Sequence, residues 1–167
     1  MNNTLMCLFI MFIVIICGTN EFTVFAHSTA DKPSKRVCIE ESKEEYESFN
    51  NEVLNEILKS FKLDLSGYQE YTHDDLNLKV GDNLNDHSDK ISLQHLFRGS
   101  SIGSRRLFLE NGLEGKRGYF LYKKIDGNNV LKELHKEGKI WIAMSVSEKK
   151  GKRLRLKPFN WDKCSEE

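Results

Sequence analysis

The densest run of chemically committed side chains is Lys149-Lys150-Gly151-Lys152-Arg153-Leu154-Arg155-Leu156-Lys157, six cations in nine residues. Read as a strand with period two, it places Arg153, Arg155 and Lys157 in a row about 7 Å apart, with Leu154 and Leu156 turned toward a core. A row of that spacing suits a polyanion: a sulfated glycan, the headgroups of a membrane surface or an acidic protein, held by salt-dependent attraction. The ordinary reading is that Lys and Arg keep an exposed hairpin soluble and guard its edge. The clustering is denser than edge protection alone needs, so Lys149, Lys150, Lys152, Arg153, Arg155 and Lys157 are the candidate contact residues.

Two weaker constellations point to hydrolysis. His73, Asp74 and Asp75, with Asp82, Asp86, His87 and Asp89 further on, combine two imidazoles with five carboxylates, a donor set that binds divalent metals and occurs in metal-assisted phosphohydrolases. The segment lacks the ligand order of a calcium loop, and the ordinary reading is a solvated acidic loop. Gly99, Ser101 and Gly103 match the Gly-x-Ser-x-Gly spacing of a nucleophile elbow. That elbow needs a strand before it and a long helix after it, whereas residues 105–110 read as strand. No catalytic residue, metal or cofactor is assigned on this basis. The aromatic residues Tyr119, Tyr122, Trp141 and Trp161 read first as core packing and only second as a recognition surface.

Of four cysteines, Cys7 and Cys17 lie in a run of thirteen uncharged residues, Leu5 to Cys17. That run has the length of a signal-peptide h-region and is short of a membrane span. Val24-Phe25-Ala26 supplies the small-residue pattern for cleavage after Ala26, with Gly18 as a second site and an uncleaved anchor as the alternative. A secreted chain then retains Cys38 and Cys164, which in an oxidising compartment form a disulfide joining the two ends of the domain.

The elements that must position these groups follow from periodicity. Residues 27–37 form a flexible leader without apolar period. Tyr46, Phe49, Val53, Ile57 and Phe61 recur at helical spacing behind a Ser42-x-x-Glu45 capping box and predict an amphipathic helix over 42–62. Residues 67–89 read as acidic loop with a short strand at 76–80, and 91–97 as a short helix capped by Ser88. Strands at 106–110 and 119–124 form one hairpin, and a short helix or irregular link covers 130–134. Strands at 139–146, which alternate Ile140, Ile142, Met144 and Val146 against Trp141, Ala143 and Ser145, and at 152–157, joined by a turn at 148–151, form a second hairpin. The expected fold is α+β: a single domain, 38–167, with one long N-terminal helix packed on an antiparallel sheet of two hairpins, its ends joined by the bridge.

High Lys and Asn content with few prolines is similar to that of small secreted proteins of parasites with A/T-rich coding. Arg36-Val37-Cys38-Ile39-Glu40 resembles a degenerate form of the Arg-x-Leu-x-Glu export motif of malaria parasites, with Cys in the place of Leu. Cleavage there would fall beside a cysteine that the bridge requires.

The 25 basic and 25 acidic residues sum to zero, which argues against a general nucleic-acid binder. The neutrality is a sum of opposites: residues 27–103 carry nine cations and fifteen anions, residues 104–167 sixteen and nine. The sequence therefore points to a secreted, non-enzymatic binding protein that meets an anionic partner through the basic segment. The competing reading is a secreted metal-assisted hydrolase built on the histidines and aspartates of 73–89.

Overall fold

A computed structural model describes residues 32–80, 83 and 87–165. The expected signal segment 1–26, its cleavage sites, residues 27–31 of the leader, and Asp82 and Asp86 lie outside the described residues. Helix α1 (Lys35–Phe61) and strand β1 (Tyr68–Tyr71) lead into helix α2 (Ser88–Gln94), followed by β2 (Ile102–Glu110), β3 (Arg117–Lys123), β4 (Asn128–Glu137) and β5 (Ile140–Lys150). The fold is α+β, with a five-stranded antiparallel sheet in the order β1-β2-β3-β4-β5.

Helix α1 starts seven residues before the expected position, so the last residues of the leader are helical. Lys35 and Arg36 open it where the helix dipole favours anions, so local electrostatics does not set the start. Tertiary anchors do: Cys38 is fully buried and bonded to Cys164, and Ser165 N–H donates to Pro33 O at 3.0 Å. The export-like segment 36–40 thus lies inside this helix. At the far end Lys62 takes the left-handed conformation and donates its N–H to the carbonyls of Leu58 and Lys59.

The sheet is buried on both faces. Strand alternation sends Phe108, Leu121 and Leu131 toward Val53 and Ile57 of α1. It sends Leu107, Leu109, Phe120, Leu134 and Trp141 the other way, against Leu93 of α2 and Leu76 of a short 3-10 turn, Asp74–Leu76. The central strand β3 therefore reads Gly-Tyr-Phe-Leu-Tyr without a polar face, as a strand covered on both sides does. By the 25 cal/mol per Å² rule each fully buried Leu or Phe contributes about 2–3 kcal/mol before entropy.

The second hairpin differs from the expected one. Residues 128–137 are strand β4, not a helix or link, and β4 pairs with β5 through the two-residue loop Gly138-Lys139, with Gly138 at φ 60 as a II′-type turn requires. Strand β5 runs on to Lys150, through the expected turn, and residues 151–160 lie outside the sheet. Trp141 is the core residue of this strand. Met144 is an extra residue between the pairs Glu133↔Ser145 and Leu134↔Ala143, and this bulge puts Val146 on the same face as Trp141 and Ala143. Ile140, Met144 and Val146 are exposed on the free edge strand. The expected strand at 76–80 is absent, and the paired segment lies earlier, at Tyr68–Tyr71.

Candidate functional site

The basic segment folds as a strap on α1. Lys149 and Lys150 end β5, and the Lys149 ammonium donates to Ser60 O at 2.9 Å and sits 4.9 Å from the centre of the Phe61 ring. Gly151 turns the chain out of the sheet. Lys152 N–H donates to Glu56 Oε1 at 2.9 Å, and Leu154 packs with the residues under α1. The strap then runs back along the helix to Cys164, whose Sγ lies 2.02 Å from that of Cys38. From Glu56 to Cys38 the helix covers about 27 Å at 1.5 Å per residue, so the dozen or so residues of strap are largely drawn out.

Its anchors are buried chemistry. Lys123 on β3 is fully buried, and its ammonium donates to Glu56 Oε2 at 2.7 Å, Asn129 Oδ1 at 2.7 Å and Gly127 O at 3.0 Å. Asn129 Nδ2 donates in turn to Ser60 Oγ at 3.1 Å. A Cβ on Gly151 would lie 2.5 Å from Lys123 Nζ and 2.7 Å from Gly127 O, so only glycine lets the strap pass this point. Burial by itself would raise the Glu56 carboxyl. Hydrogen bonds from Lys123, the Lys152 N–H and Asn129 outweigh it and hold the group below its ordinary value.

Beyond this node the cations face outward. Lys150, Lys152, Arg153, Arg155 and Lys157 are exposed, and their side chains form no ion pair or hydrogen bond with a described residue. Helix α1 beside them is rich in Glu, yet apart from the Glu56 contacts the ion pair between helix and strap is Lys163–Glu41 at 2.8 Å. The strap closes with Phe159 and Trp161 edge to face, centroids 4.7 Å apart, and Lys163 Nζ 4.4 Å from the Phe159 centroid. The two tryptophans therefore divide: Trp141 is core, at 5% exposure, and Trp161 is surface, at 50%.

A second feature is a polar groove of about 870 Å³ where β1 stops short of the start of β2. Arg106 pairs with Glu70 and donates to Asn51 Oδ1 at 3.4 Å. Arg105 donates to the carbonyls of Leu96 and Ser100 and covers the Tyr122 ring at 4.7 Å. Buried Asn50 accepts from Ser104 N–H at 2.8 Å. Both guanidinium groups are engaged in holding the loop 98–104 and β1 to the sheet, leaving each Nε without a partner. Ser101, the serine of the elbow-like spacing, donates Oγ to Gly103 O at 2.9 Å, within its own turn.

The described members of the His/Asp segment make separate contacts. His73 Nδ1 lies 3.7 Å from Asp74 Oδ1 and its ring meets Phe97 edge to face. Asp75 accepts from the N–H and hydroxyl of Thr72, which hold its carboxyl below the ordinary value. Asp89 pairs with Lys136 at 3.4 Å. Among the described residues no three His, Cys, Asp or Glu side chains converge as a metal site would require.

Neither the Lys123–Glu56–Asn129 node nor the outward Trp161 was marked by the sequence. The signal for the first is a lysine that ends an otherwise apolar strand, Tyr-Phe-Leu-Tyr-Lys, opposite a helical Glu. No helix among the described residues is long and apolar enough to cross a membrane. Comparison with family models, with curated proteins and with solved structures finds no match to this chain.

Proposed function

We propose that the protein is a secreted, non-enzymatic binding module that grips an anionic partner with the strap 149–163. The observation that carries this reading is the set of five exposed cations, Lys150, Lys152, Arg153, Arg155 and Lys157, without an ionic partner among the described residues. They sit on a segment fixed at one end by Glu56 and Leu154 and at the other by the Cys38–Cys164 bridge. A strap ordered before binding loses little conformational entropy when a partner arrives. Secretion is supported by the apolar run Leu5–Cys17 followed by a polar chain, and by a disulfide that an oxidising compartment would preserve.

The test uses protein collected from the medium of a secreting host that carries the full-length gene. It should be retained on immobilised heparin and released by salt. Each Lys or Arg near an anionic surface contributes about 1 kcal/mol, so Lys152→Ala/Arg153→Ala/Arg155→Ala should bind roughly 100-fold more weakly. Elution of this variant at the wild-type salt concentration would overturn the reading.

A further inference from the structure

We infer that the anionic partner is a membrane surface, with the cations of the strap on lipid headgroups and Leu156 and Trp161 entering the interfacial layer. The inference rests on the strap being the contact surface, as proposed above, and adds the class of partner.

One side of the strap lies against α1, where Leu154 is taken into the core. The cations are not the only exposed side chains of the strap: Leu156 is 45% exposed and Trp161 50%. Val37 and Ile39, on either side of bridged Cys38 in α1, are exposed as well.

Trp161 is held in this presentation. It begins a short 3-10 turn, Trp161–Lys163, in which Asn160 Oδ1 accepts from Asp162 N–H at 3.1 Å, and its ring rests on Phe159. Two and three residues further on, Lys163 is tied to α1 by Glu41 and Cys164 by the bridge. A tryptophan fixed by its neighbours and left half in water gains from an environment that is apolar at one depth and wet at another.

The partners differ in what they offer these groups. A sulfated glycan neutralises the cations and leaves Leu156 and Trp161 in water. A bilayer with acidic lipids meets both needs, since basic side chains are drawn to the headgroup plane and Leu and Trp bury their apolar parts just below it. Combining the two contributions gives reversible surface binding without a spanning helix.

The experiment adds the secreted protein to vesicles of phosphatidylcholine alone or with phosphatidylserine, and reads flotation and tryptophan emission. Heparin elution runs in parallel. Trp141 is in the core and acts as a silent internal standard. The expected result is binding to the serine-lipid vesicles that salt releases, with a blue shift that Trp161→Phe abolishes. Leu156→Ser/Trp161→Ser should weaken vesicle binding by about tenfold or more and leave heparin elution unchanged. Both positions are exposed, and a wild-type melting temperature for the variants will show that the fold is kept. Salt-sensitive vesicle binding without a blue shift, or binding that the Ser variant does not weaken, overturns insertion and leaves the strap reading intact. Retention on heparin with no vesicle binding makes the partner a glycan and overturns the membrane. Binding to neither overturns both.

Discussion

Replacing Lys123 with methionine tests whether one buried ammonium joins helix, sheet and strap. Methionine keeps the length of the aliphatic stem and removes the charge. In the wild type Nζ serves three acceptors at 2.7, 2.7 and 3.0 Å with no solvent access. The substitution leaves Gly127 O and Asn129 Oδ1 without that donor. Glu56 keeps the Lys152 N–H and 17% of its side-chain exposure, so its charge is not stranded in a sealed site. Breaking a buried pair from one side costs about 3–5 kcal/mol, and the access left to Glu56 puts this case near 3 kcal/mol. For a domain of this size 1 kcal/mol is worth roughly 3–5 °C, which predicts a melting temperature about 10–15 °C lower. Urea unfolding at neutral pH, followed by Trp141 fluorescence with the bridge intact, gives the free energy directly. The cycle with Glu56→Gln should be non-additive by about 1–2 kcal/mol, because either change alone breaks the same node. A Lys123→Met variant within about 1 kcal/mol of wild type, or an additive cycle, would refute the reasoning.

Three further outcomes follow from the same structure. Cys38→Ser/Cys164→Ser opens a loop of 126 residues and should cost about 5 kcal/mol in the chain-entropy model, measured by denaturant titration against the oxidised protein. Gly151→Ala forces a methyl against Lys123 Nζ and Gly127 O and should destabilise by about 1–3 kcal/mol, whereas alanine at Gly138, which meets no atom within 4 Å, bears only the strain of its left-handed backbone. Because the Glu56 carboxyl titrates below its ordinary value when folded, its contribution is complete above the unfolded carboxylate range and is lost as pH falls through that range to the lower folded value. Glu56→Gln should therefore show a flatter stability profile across that window, and an unchanged slope would contradict the assignment.

The parts of the fold legible in the sequence were those set by local pattern or covalent arithmetic. Val53 and Ile57 lie in the core as the helical spacing requires, and two cysteines left one pairing. The misread parts were decided by partners far along the chain. Val130, Leu131 and Leu134 resemble a helical stripe because β4 is covered on both faces over Val130-Leu131, and two-sided burial erases alternation. The bulge at Met144 broke the alternation of β5 by putting Val146 on the face of Trp141 and Ala143, and no single-strand pattern announces such an insertion. Leu154 does turn inward, but to a helix instead of a neighbouring strand. The position and charge of the candidate contact residues were therefore readable, and their mounting on a strap was not. Tyr68–Tyr71 is a strand only because residues 107–110 lie beside it, and four residues carry too little pattern to say so.

The bridge also has a mechanical consequence. Pro33 and Ser165 are hydrogen-bonded neighbours, and the disulfide lies a few residues inside them. A pull applied across these two points is carried by one covalent S–S bond and never reaches the ladder of β-strands. The 126 steps of chain from one cysteine to the other represent roughly 430 Å of contour length at 3.4 Å per step that cannot be paid out under load. Reduction would expose all of it at once. A domain held at one end while its strap grips a surface would then behave as an inextensible link in oxidising surroundings and as a yielding one when reduced.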